Sequence, residues 1–564
     1  MRIPNFMIKR LKILLIVLIW PGLLFCHSAI AQSDNSGQRR VTGTYAITNA
    51  TIITMPGSIL PNATIIVRNG LIHMVGTDIK PPKDALLIPG DSLFVYPGFI
   101  DAMGDQGVSA PAKIDNPKDM DPSDPPNDIA GISPERDVLD YWDAKARSVE
   151  EWRKVGFTIS EIVPKGEMLP GKSALVIFGN EGSSNVITRA NGLYAQFETP
   201  RNLYPGTILG IMAKWRELYR NAELKSKHAS LFVSSANGIS RPEKDKTLEA
   251  LYPVINGQIP VIFKTKDELE IRRALKLQQE LGFKMILAGI ESGSRLIEDI
   301  KTSSSKVILS LDLPDDEASK LDIEDASEEV KMAHERVVDA YNKVLAEAGE
   351  FEKAKVPFAF GSAEAKDGEF FKNMRLRIKN GLSEEAALAA LTVHPAEILG
   401  IKDFAGTLEK GKLANLVVTT DSLFKENTDV KYVMADGYLF EYDIDKTNNG
   451  NGEVKHILGT WKYVSETPGG SSEGTMEFKE HSGELCGNIV VDDPDGSGKI
   501  TRELKDIHFK SNKLSFSFSV MVEAQKLYVN VKGAIEGGKF DGTLNIKDMG
   551  SYSFKATKEP DFKF

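Results

Sequence analysis

Between residues 259 and 361 the chain alternates short apolar runs with amphipathic segments of helical period, which restricts this region to parallel strands crossed by helices. Ile259-Pro260-Val261-Ile262-Phe263-Lys264 reads as a strand. A capping box from Thr265 to Glu268 then opens a helix that runs through Leu281 and stops at Gly282. Ile271, Ala274, Leu275 and Leu281 follow the helical spacing, with Gln278 the exception. Residues 284–290, 306–311 and 356–361 supply three more strands, and 157–163, 173–178 and 192–197 three earlier ones. With the run that ends at Asp101, the pattern fits a (β/α)₈ TIM barrel over 97–400, in which chemistry belongs at the carboxyl ends of the strands.

β-rich segments flank this region. Residues 63–67 and 71–75 are joined through Asn69-Gly70, a hairpin signal, and a second group of strands follows at 411–418 and 430–434. Residues 443–453, with Asn448-Asn449-Gly450-Asn451-Gly452, read as a polar linker. Beyond it, 454–564 alternates in segments such as Ser515-Phe516-Ser517-Phe518 and Leu527-Tyr528-Val529, divided by Gly, Asn and Asp turns, which predicts an all-β sandwich or small closed barrel. The chain as a whole is therefore expected to be multidomain.

Arg2, Lys9, Arg10 and Lys12 precede an apolar run to Cys26, and Ala29-Ile30-Ala31 offers small residues for cleavage. Residues 1–31 thus read as a signal peptide for a periplasmic or secreted protein of the cell envelope, the run being shorter than the roughly 20 residues of a spanning helix. Cleavage removes Cys26 and leaves Cys486 alone, so no internal disulfide can form. The formal charge of -10 and the lack of a Lys/Arg cluster argue against nucleic acid as a partner.

Tyr96-Pro97-Gly98-Phe99-Ile100-Asp101-Ala102-Met103-Gly104-Asp105 resembles the end of the first barrel strand in the amidohydrolase superfamily, the metal-dependent hydrolases such as imidazolonepropionase and dihydroorotase. Phe358-Ala359-Phe360-Gly361-Ser362, Pro395-Ala396-Glu397-Ile398-Leu399-Gly400 and Gly406-Thr407-Leu408-Glu409-Lys410-Gly411-Lys412 resemble later landmarks in the family's order. The resemblance implies that 44–96 and 401–442 form one composite β-sandwich beside the barrel, and that the family reaction is hydrolysis of amide or other C–N bonds. It also places the metal-ligand positions at Met103, Asp105, Lys264, Ala288 and Ala363, where the family carries histidines and an aspartate. A thioether, an ammonium and two methyl groups cannot replace imidazoles on a hydrolytic ion, so no cofactor is expected, the alternative being a divalent metal such as Mg or Zn.

The remaining candidates at predicted strand ends are Asp101, Asp105, Lys264, Glu291, Asp312 and Glu364. They admit an all-oxygen cation site, but also solvated carboxylates partnered by Lys264, which would fill the space of a lost imidazole by pairing with Asp105 or Glu364. No Gly-X-Ser-X-Gly elbow, phosphate loop or barrel cysteine supplies another nucleophile. Two readings stay open: a pseudoenzyme that binds a peptide, a glycan, a second copy or a catalytically intact relative, and an active hydrolase with carboxylates in place of histidines. Convergence of Asp105, Lys264 and Glu364 on one solvated pocket would favour chemistry.

Overall fold

The computed structural model describes residues 38–559 apart from 41–42, 113, 115–116, 180–184, 317–325, 443–456, 468–469, 482–483, 494–497, 511–512, 523–524 and 547–549. The predicted signal peptide and linker lie outside the described residues. The chain divides into two compact units, Met1–Tyr442 and Asp443–Phe564.

The larger unit is built on eight strands that follow one another across a single sheet in chain order. They are β1 (Phe99–Gly104), β2 (Phe157–Ile162), β3 (Gly171–Ile177), β4 (Val186–Ala195), β5 (Val261–Lys264), β6 (Met285–Ile290), β7 (Lys306–Ser310) and β8 (Phe358–Gly361). Neighbours pair in parallel except at β3, which is antiparallel to both β2 and β4. Uniform strand–helix alternation fails there for a simple reason. Residues 163–170 and 178–185 are too few for a parallel crossover, which takes about a dozen residues or more, whereas an antiparallel return needs only a short link. Helices do follow the later strands: α1 (Ile208–Ser234), α2 (Glu268–Leu281), α3 (Ile297–Ser303) and α4 (Glu328–Lys353).

The period of two along each strand sorts side chains between two cores. In β5, Val261 and Phe263 join the helix-covered cluster, where Phe263 lies 4.8 Å from Phe197 and 5.9 Å from Trp215 between ring centroids. Ile262 faces the other way. It meets Ile100, Ile159, Leu175, Tyr194, Ile286, Ile308 and Ala359, so each of the eight strands contributes to one common cluster. The first and last strands lie side by side, since the Ala363 N–H donates to the Met103 carbonyl at 3.0 Å. Gly361 permits this approach, because a Cβ there would stand 3.0 Å from Met103 Cβ and its carbonyl oxygen.

Helix α2 shows how local sequence fixes an element. Its N-cap is Asp267, not Thr265: the carboxylate accepts the Leu269 and Glu270 N–H groups at 2.8 and 2.9 Å, and Glu270 returns the bond by accepting the Lys266 N–H at 2.8 Å. Ile271, Ala274 and Leu277 are buried, and the left-handed Gly282 (φ 79°) ends the helix as expected.

Both flanking β groups enter one nine-stranded sheet. The join is Phe94–Pro97, which runs antiparallel to Leu416–Thr419 and parallel to Thr44–Met55. The Asn69-Gly70 hairpin forms with both central residues at positive φ (52° and 75°) and Arg68 opposite Leu71. In the C-terminal unit nine antiparallel strands surround Trp461, Phe478, Phe516 and Phe554. Trp461 donates its indole N–H to the Ile457 carbonyl at 2.8 Å, and Tyr463 stacks on Phe554 at 4.9 Å.

Candidate functional site

The carboxyl ends of the strands carry a layered arrangement. Lowest lies Asp101, fully buried, whose two oxygens take five hydrogen bonds. Oδ1 accepts the Met103 and Ser362 N–H groups at 3.2 and 3.0 Å, while Oδ2 accepts from Gln106 Nε2 (3.0 Å), Ser160 Oγ (3.2 Å) and Ser362 Oγ (2.5 Å). Burial pushes the Asp101 carboxyl above its ordinary range, against the opposing pull of those donors. The group ties β1, β2 and the end of β8 together and does not line the cavity above it.

Met103 and Ala288 occupy the common apolar cluster beneath the mouth, and a Cβ at Gly289 would stand 3.3 Å from Met103 Cε and 3.5 Å from Lys264 Cγ. Above them opens a cavity of about 910 Å³, lined among others by Asp105, Tyr194, Arg201, Lys264, Ala363 and Glu364. Lys264 ends β5 on the same side as Ile262, so its stem is buried and its ammonium emerges into the cavity. There Nζ lies 2.5 Å from Glu364 Oε1, while Lys266 holds the other Glu364 oxygen at 3.1 Å and stands 3.8 Å from Glu291. Asp105 turns away to Lys165 at 2.9 Å. Of the two expected partners for Lys264, the pairing falls to Glu364.

Glu364 is presented by a turn closed by the Ala365 N–H on the Ser362 carbonyl (2.8 Å) and has the left-handed φ of 73°. Such a backbone is uncommon for a non-glycine residue and costs on the order of 1 kcal/mol. Burial alone would raise this carboxyl, but hydrogen bonds and charge from Lys264 and Lys266 outweigh it and hold it below the ordinary range. Burial likewise opposes the ammonium of Lys266, yet Glu364 and Glu291 carry it above the usual lysine range. Glu291 and Asp312 are each raised, chiefly by burial, and neither lines the cavity.

Several residues here carry no signal in the sequence. Lys165 and Lys266 stand just past strand ends as partners of the acids. Tyr194 forms part of the floor, its hydroxyl bonded to Gln196 at 3.3 Å and its ionisation raised by burial and then by Glu364, Asp105 and Glu198. Glu161, wholly buried on β2, accepts from Asn191 at 2.9 Å, and burial pushes it up to about 7 despite Ser173 and Asn191.

The donor set does not suit the divalent ion that the family resemblance implies. The Met103 thioether is enclosed by aliphatic groups, Ala288 and Ala363 offer no donor, Lys264 brings a positive charge and Asp105 is engaged by Lys165. Among the described residues no group of three or more His, Cys, Asp and Glu is placed to hold a metal.

The fold defines a mixed α/β protein with a separate all-β unit. The model of the amidohydrolase family matches residues 296–440 of this chain. Among solved structures it is similar to an amidohydrolase from Thermotoga maritima MSB8, at 21% identity over 71% of this chain and 100% of that one, with a TM-score of 0.56. A prolidase complexed with N-methylphosphonate-L-proline (14% identity, 71% of this chain, 100% of that one, TM-score 0.42) and a putative prolidase from Bifidobacterium longum (15%, 70%, 94%, 0.40) are similar at a lower level. Comparison with curated proteins gives no match.

Proposed function

We propose that this chain is an exported amidohydrolase relative that binds a polar ligand, a peptide or a glycan, in its strand-end cavity without a catalytic metal, on a (β/α)₈ barrel modified at β3. The observation that carries the reading is the ammonium of Lys264 in ion contact with Glu364 at the mouth of the sheet, at a position where the resemblance expects an imidazole. A fixed cation there repels a divalent ion, and its neighbours Met103, Ala288 and Ala363 supply nothing to offset that repulsion. The cavity falls within the volume of small-molecule sites, about 300–1,000 Å³. Its lining pairs lysine and arginine with carboxylates, which suits a ligand bearing charges of both signs or many hydroxyls. The leader read at residues 1–31 supports work in the periplasm or cell envelope.

Elemental analysis of the purified full-length protein tests the metal-free reading, with substoichiometric zinc, manganese, iron and magnesium expected. One equivalent of any of them, lost together with ligand binding on Asp105→Ala, defeats it. Screening peptides and glycans by thermal shift then identifies the ligand, and Glu364→Gln is expected to abolish the shift.

A second reading has one observation in its favour: Asp105, Lys264 and Glu364 line the same cavity. On that reading the chain hydrolyses a non-peptide C–N bond. Turnover of an amide panel that persists in chelator and is lost in Glu364→Gln would establish it over pure binding.

A further inference from the structure

The opposite, amino-terminal end of the sheet carries a second cavity, of about 400 Å³, between the starts of β5, β6 and β7 and the segment after the helix Val393–Ile398. Its wall combines apolar Pro260, Ile262, Phe283 and Leu399 with polar Gln258, Gln278, Ser303 and Ser304. Lys284 and Lys306 stand at its rim, and no acidic residue lines it, although the chain as a whole carries a formal charge of -10. The Lys284 ammonium donates to the Gly257 carbonyl at 2.7 Å, and that of Lys306 to the Ile398 and Glu397 carbonyls at 2.9 and 3.3 Å. Among the described residues neither lysine is in an ion pair. Glu397, the acid whose field reaches Lys306, is itself engaged by Lys402 at 3.9 Å. Burial holds Lys306 below the ordinary lysine range against the opposing field of Glu397, with Lys284 and Lys402 adding smaller contributions in the same direction as burial.

We propose that this recess binds a small amphiphilic anion, an apolar body ended by one carboxylate or phosphate, with its head between Lys284 and Lys306 and its body against Ile262, Phe283 and Leu399. Apolar walls with a few placed polar groups are the usual composition of small-molecule sites, and the volume is sufficient for one. Two ammonium groups already bonded to carbonyls keep further N–H donors for an anion. The site lies at the end of the strands opposite Lys264 and does not depend on what the other cavity does.

Calorimetric titration of the full-length protein with octanoate, octyl phosphate, 1-octanol and acetate tests it. Octanoate or octyl phosphate is expected to saturate one site, the better of the two identifying the head group, with octanol and acetate at least tenfold weaker. The double substitution Lys284→Gln/Lys306→Gln should weaken binding by tenfold or more. Gln258→Trp, at the exposed rim, should block it while thermal unfolding stays unchanged. The proposal is overturned if neither anion saturates, if octanol binds as tightly as the anions, or if the folded double variant or the Trp variant binds as the parent does.

Discussion

Lys264 and Glu364 approach to 2.5 Å across the mouth of the eight-strand sheet, from β5 and from the turn after β8, with unequal burial: the lysine side chain is 11% exposed and the glutamate 53%. The asymmetry determines what the pair contributes. A carboxylate left alone in a dry interior would cost several kcal/mol, but this one remains half in water and keeps Lys266 at 3.1 Å. Lys264→Met should therefore lower stability by only about 0–1 kcal/mol, the range of exposed pairs, because the methionine stem fills the same space. Chemical denaturation of the purified variant checks this, and a loss of several kcal/mol would show that Glu364 is far less hydrated than its exposure indicates.

Asp101 within β1 and Asp105 just past its end should behave oppositely. Asp101→Ala removes the acceptor for five donors in a fully buried network and should cost about 3 kcal/mol or more, since each orphaned donor loses its hydrogen bond without gaining water. Asp105→Ala breaks a contact with Lys165 in which both side chains are over a third exposed or nearly so (34% and 43%), and should cost about 0–1 kcal/mol. Equal effects in parallel urea titrations would mean that the network is not the unit that holds β1 to β8.

The strands and their order are legible because β5, β6, β7 and β8 are short apolar runs separated by helix-period segments, and the links determine the rest. The reversal at β3 follows from the brevity of 163–170 and 178–185, and the second link is short because β4 begins at Val186, whereas the strand read at 192–197 leaves 179–191, long enough for a crossover. At the site, Lys264 is legible as the last residue of an apolar strand, but its partner is not. Asp105 and Glu364 stand at equivalent strand ends, and the choice rests on the left-handed backbone at Glu364 and on Lys165, which no periodicity announces. Glu161 is hidden for a different reason: an acid within a strand normally signals a solvated face, whereas both faces of β2 are covered.

Restoring one family ligand should not restore a metal site. Met103→His would put an imidazole among Ile100, Ala102 and Ala288 with no other ligand free, Asp105 being engaged by Lys165. Zinc titration by calorimetry should show no stoichiometric binding, and the buried polar ring should cost roughly 1–3 kcal/mol. Tight binding by this single variant would show that the neighbouring groups rearrange far more readily than their packing implies.

Glu161 supplies the sharpest pH test. Its carboxyl is raised from 4.5 to about 7 by burial, so between those values the unfolded chain has lost the proton that the folded chain keeps. The sign follows directly: a raised acid leaves stability unaffected below about pH 4.5, subtracts from it as pH climbs toward 7, and subtracts a constant amount above. With about 1.4 kcal/mol per pH unit, the full effect is on the order of 3 kcal/mol. Glu161→Gln keeps the shape and an amide oxygen for Asn191 while removing the titration, so its stability relative to the parent should rise between pH 5 and pH 8. Denaturant midpoints at those two pH values measure it directly. A difference that stays flat, or that moves in the parent's favour at high pH, would mean that Glu161 is ionised in the folded protein throughout.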